Sequence, residues 1–530
     1  MNQNNSKISK QNILSHFSNI WIILGIICTI GFLLRIIWIP HEAPLTLDST
    51  GYFWYAIETS ITGSFPSIEC GWRCTFPNTG WSSFLSIFFM IFSFDNYLDY
   101  MNLQRYLGVI ISVVTTIPLF FLCRVFVGKK YSMIACVLFA FNPRIIENSI
   151  LGITEPMYIL GITLMLYTFF QHGKNYPYIT FAIIGIISIV RYEGLLLFVP
   201  ISLLYFYKFK FSKRTILKYF IAVTVFLLII IPWGMMKTDL TGSDGMVTNV
   251  VNGPIYYSNV INENQDPNSV IINLIKTGIT DMFKFLGLST LPLLTFLIPL
   301  GIYTMISKKK LSEFFILFSI VIVLLIPAFY AYSRNFYEVR YLLPIFPIFC
   351  LFSVYFIRYI TEKIKYKKLF LILISILVIC STVGFIEYKN NDSINQIEAY
   401  QVAKEITKLT KVITYYSQGQ YLDNTRIIEA NEFPILRKEL PPSIVFIYPD
   451  NYETFEKYIS NNKEKGLEYV IVDEGDWRST KFLDDVFQNE ESYPYLHKIF
   501  DSKDIGYKNY HAKIFRINFD EFNTFKSREF

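Results

Sequence analysis

Long apolar runs, repeated along most of the chain, constrain this sequence more than any other feature. A helix that crosses a bilayer needs about 20 mostly apolar residues. Hydrophobic residues make up 52% of the 530 residues, which is too apolar for a soluble protein of this length. We therefore predict an α-helical polytopic membrane protein with about 11 transmembrane helices. The runs are Ile20–Ile39, Leu103–Val127, Tyr131–Leu151, Thr154–Gln171, Tyr176–Val190, Gly194–Tyr207, Thr215–Met236, Phe285–Ile306, Leu311–Ala331, Tyr341–Ile360 and Leu369–Ile386.

One shorter run decides the predicted topology. Trp81–Phe94 is only about 14 residues long, so it cannot cross the apolar core untilted, and we expect it to lie in the interface or to re-enter. If it does not cross and the N-terminus is cytoplasmic, every basic cluster between the spans falls on the cytoplasmic side. These clusters are Lys129-Lys130, Lys174, Lys208 to Arg214, Lys308-Lys309-Lys310 and Arg358 to Lys368. The C-terminal tail is then predicted to be extracytoplasmic, in a protein of the cell membrane.

This topology divides the chain into two predicted domains. Residues 1–386 form a membrane domain with long outer loops at about 40–102 and 237–284. Residues 387–530 form an extracytoplasmic α/β domain, because strand-like and helical patterns alternate there. The strand-like runs are Val412–Tyr416, Ile444–Tyr448, Tyr469–Val472 and Lys513–Ile517, and the helical stretches include Asn451–Lys465 and Thr480–Asn489.

Ionisable side chains gather at the predicted outer ends of the helices. A proton or ion pathway would place several such groups in mid-span, but the topology places none of these at a bilayer midplane. Taken singly, each has a structural interpretation: Asp48 could cap a helix, and Arg191 with Glu193 could form a local ion pair. Glu155 lies between Thr154 and Pro156, a pattern typical of a helix start. The full set is Asp48, Glu155, Arg191, Glu193, Arg334, Glu338 and Arg340.

Taken together, these side chains fit the transfer of a sugar from an isoprenoid phosphate. A carboxylate can deprotonate the hydroxyl group of an acceptor. Arginine presents a planar fork that suits phosphate, and it stabilises the charge that the phosphate gains as it leaves. Outer arginines such as Arg334 and Arg340 also break the pattern of basic residues inside, which favours an anionic partner.

The motifs that carry these residues resemble those of GT-C integral-membrane glycosyltransferases, nearest to the protein O-mannosyltransferase and aminoarabinose-transferase branch. An aspartate follows the first span in LTLDSTGYFWYA, with Thr62-Gly63 and the aromatic segment PNTGWSSFLS after it. An acid opens the second outer loop in ITEPMY, RYEG follows, and VRYLLPIFP opens a late helix. The resemblance covers roughly residues 15 to 390, and the α/β tail is a common but variable addition in such proteins.

The resemblance implies a role for each candidate residue. Asp48 would act as the base or as a catalytic acid, with help from Glu155, on a polyprenyl-phosphate sugar, with inversion at the anomeric carbon. The donor phosphate would lie against Arg191, Arg334 and Arg340, and the substrate would contact Tyr52, Tyr192 and Glu193. No cofactor is required, although Asp48 and Glu155 could share a divalent cation. The acceptor would be a protein, lipid or glycan, and neither composition nor charge implies a nucleic-acid partner.

The sequence departs from related patterns in ways that limit the activity. Ser49 follows Asp48, so neither paired acids nor an Asp-x-Asp motif is present there, and Gly475-Asp476-Trp477 only approximates the Trp-Trp-Asp-Tyr-Gly signature of oligosaccharyltransferases. Transfer of a whole oligosaccharide to asparagine is therefore not expected. A polytopic transporter or lipid-linked sugar flippase is the alternative class. Cys70 and Cys74 have a spacing that allows a loop disulfide, and a zinc site there is less favoured.

Overall fold

The chain is described here from a computed structural model that covers residues 3–45, 48–66, 78–94, 96–171, 173, 175–251, 267–290, 293–410, 452, 454–465, 467–473 and 481–529. It divides into two compact units. The first unit comprises Met1–Ile39, Gly51–Ile91 and Leu103–Ile386. The second unit comprises Pro40–Thr50, Phe92–Asn102 and Glu387–Phe530.

Helices account for nearly all of the described chain as far as Thr410. Short 3-10 helices, Tyr192–Leu197 and Val339–Ile345, each lead directly into the α-helix that follows. The α-helices are α1 Gln3–Ile37, α2 Asp48–Thr62, α3 Thr79–Ile91, α4 Tyr97–Val114, α5 Thr116–Val127, α6 Lys129–Ala140, α7 Pro143–Ser149, α8 Glu155–Phe170, α9 Tyr176–Val190, α10 Phe198–Phe209, α11 Lys213–Thr241, α12 Pro267–Thr290, α13 Leu294–Ser307, α14 Leu311–Ser333, α15 Phe346–Lys363 and α16 Lys367–Thr410.

Many of these helices are long and apolar enough to cross a membrane. Within the described ranges there are 7 such helices, or up to 8 if the bent pair Ile272–Thr290 and Leu294–Ser307 counts as one span. This confirms the polytopic α-helical class, whereas the number of about 11 spans remains a prediction. The 7 are Ile20–Ile37, Tyr97–Val127, Tyr192–Phe209, Lys213–Thr241, Leu311–Ser333, Val339–Lys363 and Lys367–Lys389.

Four of the predicted spans are not among these 7: Phe285–Ile306 falls within the bent pair, and the other three are short or broken. Helices α8 and α9 have 16 and 15 residues. The predicted span Tyr131–Leu151 is not one helix, because α6 ends at Ala140 and α7 begins at Pro143. The side chain of Asn142 caps α7 by accepting from the backbone N–H groups of Arg144 and Ile145. An Asn cap followed by Pro at the first helical position starts a new helix, and this local signal lies inside the apolar run.

The short run near Trp81 forms its own helix. Helix α3 has 13 residues and buries one face, which includes Trp81, Leu85 and Phe89. Ile87 and Met90 on another face are at least half exposed. A helix of 13 residues is too short to cross the apolar core untilted, and whether it lies in the interface or re-enters remains a prediction.

Close packing of small residues holds the first unit together. A Cβ atom at Gly301 would collide with the carbonyl oxygen of Phe352, so the glycine allows α13 to approach α15 backbone to backbone.

The side chain of Arg35, near the end of α1, is fully buried in this unit. Its Nη1 atom donates to the carbonyl oxygens of Gly31 at 2.8 Å and Ala140 at 2.9 Å, and its Nε atom donates to Ser149 Oγ at 3.2 Å. Arg35 thereby ties α1 to both sides of the α6–α7 break.

The second unit contains a small antiparallel sheet of order β1-β3-β2, formed by β1 Tyr469–Asp473, β2 Leu496–Asp501 and β3 Ala512–Ile517. Helices α17 Phe455–Asn462, α18 Lys481–Gln488 and α19 Phe519–Glu529 accompany it. The predicted strands Tyr469–Val472 and Lys513–Ile517 are present as β1 and β3, and β2 was missed. The predicted strands Val412–Tyr416 and Ile444–Tyr448 lie outside the described residues.

Candidate functional site

One arginine bridges two carboxylates in the first unit. Arg191 donates from Nη1 to Oε1 of Glu155 at 2.5 Å and from Nη2 to Oε1 of Glu193 at 2.8 Å. The side chains of Arg191 and Glu193 are each 10% exposed and that of Glu155 is 1% exposed, so all three are almost entirely removed from solvent. The local ion pair expected between Arg191 and Glu193 is present, and it extends to a residue 36 positions away. We call Glu155, Arg191 and Glu193 the carboxylate bridge.

The turn at the end of α9 brings the side chains of Arg191 and Glu193 into contact. The helix stops at Val190, and Arg191 takes an extended backbone conformation with φ −144° before the 3-10 helix begins. The chain turns so tightly that a Cβ atom at Gly194 would lie 2.9 Å from the backbone nitrogen of Ser188. Only glycine fits this approach without displacing backbone, which explains the RYEG order locally.

The turn that leads to Glu155 is anchored by two buried side chains. The carbonyl oxygen of Gly152, a residue with φ +72°, accepts from Trp81 Nε1 at 3.0 Å and from Gln104 Nε2 at 2.6 Å. Trp81 and Gln104 are both 0% exposed. Glu155 follows three residues later as the first residue of α8, so helices α3 and α4 hold the segment that carries this carboxylate. We call Trp81, Gln104 and Gly152 the Gly152 anchor.

The predicted arginines of the late loop lie beside acids and aromatic rings. Arg340 pairs through Nε with Oε2 of Glu338 at 2.9 Å, and the exposures of these side chains are 16% and 44%. The guanidinium of Arg334 lies 3.8 Å from the ring centroid of Tyr330. The hydroxyl of Tyr192 is within electrostatic range of both Arg191 and Arg334, which connects the RYEG segment with the late loop.

A recess is lined both by residues of the carboxylate bridge and by Arg340 of the late loop. It measures about 330 Å³, with the open space at its mouth included. One side carries the charged residues Arg191, Glu193 and Arg340 with two tyrosines, and the other side is apolar. The space that these residues enclose holds little more than one water molecule, so a ligand that is polar at one end and apolar at the other would place only a small group inside the recess. The lining residues are Tyr158, Arg191, Glu193, Val323, Leu324, Pro327, Arg340, Tyr341 and Pro344.

Asp48 and Tyr52 lie on the same helix. Asp48 is the first residue of α2 and is partly buried. A carboxylate in the first turn is stabilised by the partial positive charge of the helix N-terminus, so the helix-start interpretation of Asp48 agrees with its position. Tyr52 follows four residues later, on the same face of the helix. It is buried, and its hydroxyl is within electrostatic range of Arg191.

No group of three or more His, Cys, Asp or Glu side chains converges within the described ranges. Cys70 and Cys74 lie outside them.

Sequence reasoning named the three residues of the carboxylate bridge as candidates but did not predict that Glu155 pairs with Arg191, and it missed Gln104 and Arg35. A polar or charged residue inside an apolar run was the available signal for both.

Comparison with known proteins places the fold. No protein-family profile and no curated protein sequence matches the chain. Among solved structures, the oligosaccharyltransferase of Archaeoglobus fulgidus in complex with zinc and sulfate is 15% identical, with a TM-score of 0.55 over 85% of this chain and 68% of that one. ArnT from Cupriavidus metallidurans bound to undecaprenyl phosphate is 8% identical, with a TM-score of 0.53 over 93% and 97%.

A further structure carries a different lipid. AglB from Archaeoglobus fulgidus, in complex with an inhibitory peptide and a dolichol-phosphate, is 14% identical, with a TM-score of 0.51 over 86% of this chain and 69% of that one. At these identities the likeness concerns the fold. The chain has the fold of GT-C glycosyltransferases, which confirms the GT-C-like class predicted from its motifs.

Proposed function

We propose that this protein is a glycosyltransferase that moves a single sugar from a polyprenyl-phosphate donor to an acceptor at the outer membrane face. The observation that carries the proposal is the recess, which joins the carboxylate bridge and Arg340 to an apolar wall from α14. A polyprenyl-phosphate sugar has matching chemistry, with an anionic and hydroxylated head and an apolar tail. Two neighbours in fold were solved with dolichol-phosphate or undecaprenyl phosphate.

We assign the phosphate chiefly to Arg340 and Arg334. Arg191 already donates to two carboxylates, so most of its charge is balanced before a donor arrives. Arg340 pairs with Glu338, whose side chain is 44% exposed, so solvent screens this pair more than it screens the buried carboxylate bridge. The net attraction for an added anion is therefore greater at Arg340, and Arg191 is the supporting contact of the phosphate.

Asp48 is the proposed base. It removes the proton from the acceptor hydroxyl, whose oxygen attacks the anomeric carbon while the bond from that carbon to the phosphate oxygen breaks. The polyprenyl phosphate leaves with the electron pair, and the configuration inverts. Glu155 assists by holding Arg191, and Tyr52 and Tyr192 contact the substrate near that guanidinium.

The absence of an Asp-x-Asp motif at Asp48 supports transfer of one sugar rather than a whole oligosaccharide. A divalent cation shared by Asp48 and Glu155 would face Arg191, which lies 2.5 Å from Glu155. The fit of a cation at Glu155 is therefore poor, and we derive no step through a metal. The acceptor class that we propose is a protein, lipid or glycan with a free hydroxyl group.

Release of lipid phosphate by the purified protein tests the proposal. With labelled polyprenyl-phosphate sugars, we expect Asp48→Asn to abolish release while donor binding is retained, because the amide cannot accept the proton. Asp99→Asn is the matched control, since Asp99 is also an acid in the first turn of its helix, α4. A fully active Asp48→Asn protein would remove Asp48 as the base. If the unaltered protein released no lipid phosphate from any common donor, the transporter or flippase alternative would be favoured.

A further inference from the structure

One oxygen atom of the carboxylate bridge differs from the others. Glu193 is 9% exposed, and its Oε1 atom accepts from Arg191 at 2.8 Å. Its Oε2 atom is also buried, yet no donor among the described residues reaches it. Glu155 has no such atom, because Arg191 reaches Oε1 and the hydroxyl of Thr154 lies 3.4 Å from Oε2.

A buried acceptor without a donor is uncommon in folded proteins. Such an atom loses its hydration on folding and gains nothing in return, so its presence indicates a water molecule or a ligand that completes it. Glu193 lines the recess together with Arg191 and Arg340. The missing donor can therefore arrive with the molecule that fills the recess.

The chemistry of the donor lipid narrows which of its parts can reach this atom. The phosphate oxygens are acceptors and carry negative charge, so a carboxylate repels them. The isoprenoid tail has no polar group. Among the parts of the donor lipid, only the sugar therefore brings hydrogen-bond donors to this site.

We propose that Oε2 of Glu193 accepts a hydrogen bond from one hydroxyl group of the donor sugar and thereby selects the sugar. This inference rests on the proposed function and adds a substrate requirement to it: the sugar must carry a free hydroxyl at one particular ring position. A site built around a buried polar atom rejects an analogue that lacks the complementary group much more strongly than an apolar pocket rejects a size difference.

Monodeoxy analogues of a donor that supports release provide the test, with kcat/KM for lipid-phosphate release as the readout. In the unaltered protein, we expect removal of one hydroxyl to lower kcat/KM by on the order of 100-fold, as for a hydrogen bond to a charged group. Glu193→Gln keeps an oxygen for Arg191 and can place an amide N–H where Oε2 was. In this variant the same deoxy donor should lose less than about tenfold relative to the full donor, because a hydrogen bond between the neutral amide and the hydroxyl is weaker.

The matched control is Glu362→Gln, which changes a carboxylate that pairs with Arg358 at 2.9 Å and lies 43% exposed. In this control, each monodeoxy donor should lower kcat/KM by the same factor as in the unaltered protein. If Glu193→Gln is too slow to assay, equilibrium binding of the same donors should show the same loss of discrimination.

Two results would overturn the inference. One is a deoxy series without a sensitive position, which is expected if a water molecule completes Oε2. The other is a Glu193→Gln variant that keeps the full discrimination, which would give Glu193 a structural role only. Failure of the proposed function is a separate outcome, because then the unaltered protein releases no lipid phosphate at all.

Discussion

The central residue of the candidate site is Arg191, because it is the shared partner of two buried carboxylates. Removing one member of a buried ionic group leaves the other charges without compensation, which typically costs about 3–5 kcal/mol. The side chains of Glu155 and Glu193 are 1% and 10% exposed, so neither can regain its hydration without a change in the fold.

We therefore expect Arg191→Ala to destabilise the protein by about 3 kcal/mol or more. The stability of Arg191→Lys should lie between those of Arg191→Ala and the unaltered protein, since lysine keeps the charge but lacks the planar fork. Thermal melting in detergent measures both effects. Arg358→Ala removes an exposed pair with Glu362 and should cost about 1 kcal/mol or less. Equal melting temperatures for Arg191→Ala and Arg358→Ala would contradict the importance of the bridge.

At this scale, local sequence signals predicted only part of the site. Arg191 and Glu193 are two positions apart, and Glu155 begins a helix, so their order along the chain was visible. Gln104 and Trp81 reach Gly152 across 48 and 71 positions. No periodicity in one segment indicates which distant carbonyl group a buried side chain will meet, so these partners could not be predicted.

At the scale of elements, the Gly152 anchor connects helices α3 and α4 to the start of α8. The indole and amide groups share one carbonyl oxygen, at 3.0 and 2.6 Å. A shift of about 1 Å in a catalytic group can reduce the rate about 100-fold. Trp81 and Gln104 are thus expected to act as positioning residues for Glu155.

Trp81→Phe and Gln104→Met should each lower kcat by about tenfold or more with little change in donor affinity, because Glu155 is displaced while Arg334 and Arg340 are not. In a Glu155→Gln background the same changes should have no further effect on kcat. Trp233→Phe is the control, since it removes an indole N–H that donates to Thr79 instead. Fully additive losses in the double variants would indicate a general structural role.

The sheet of the second unit contains a pH-sensitive pair. Burial acts to raise the pKa of Asp501, but hydrogen bonds from the backbone N–H of Lys503 and from the His511 ring outweigh it, and the pKa is held below its usual value. Lys498 lies 3.7 Å away and acts in the same direction. A depressed folded-state pKa stabilises the fold above the unfolded value of about 4, and this stability is lost as the pH falls through the folded value.

Asp501→Asn should therefore lower stability at pH 7 by about 1 kcal/mol, as expected for a lost hydrogen bond, and this difference should shrink as the pH falls below the unfolded value of about 4. Calorimetry of the full chain in detergent between pH 3 and 7 measures this, as the difference from the unaltered protein. Glu521→Gln, at an exposed pair with His497, should show a much smaller effect. A difference that does not depend on pH would exclude ionisation of Asp501 as the cause.

At the scale of the whole molecule, the order of motifs predicted the fold better than the count of helices. Asp48, Glu155, RYEG and VRYLLPIFP occur in the order expected for a GT-C fold, and the comparison with solved structures confirms that fold. The count was less certain because α8 and α9 are shorter than an untilted span needs. Asn142 and Pro143 also start a new helix inside an apolar run.

The predicted topology can be tested within the first unit. Val247 and Lys309 are both exposed, and the basic loops place Lys309 in the cytoplasm and Val247 outside. In a background without the 7 native cysteines, Val247→Cys should react with an impermeant maleimide in intact cells. Lys309→Cys should react only after the cells are permeabilised. The reverse pattern would invert the topology and place the carboxylate bridge on the cytoplasmic face.

The fully buried guanidinium of Arg35 has a consequence for how the protein is made. Its partners Ala140 and Ser149 follow it by 105 and 114 positions, so the ribosome has not yet synthesised them when the first apolar segment leaves the exit tunnel. A charged side chain in a span is costly until it is satisfied, although the cost is smaller near a helix end. We therefore expect the first helix to reach its final depth and rotation only after α6 and α7 have emerged.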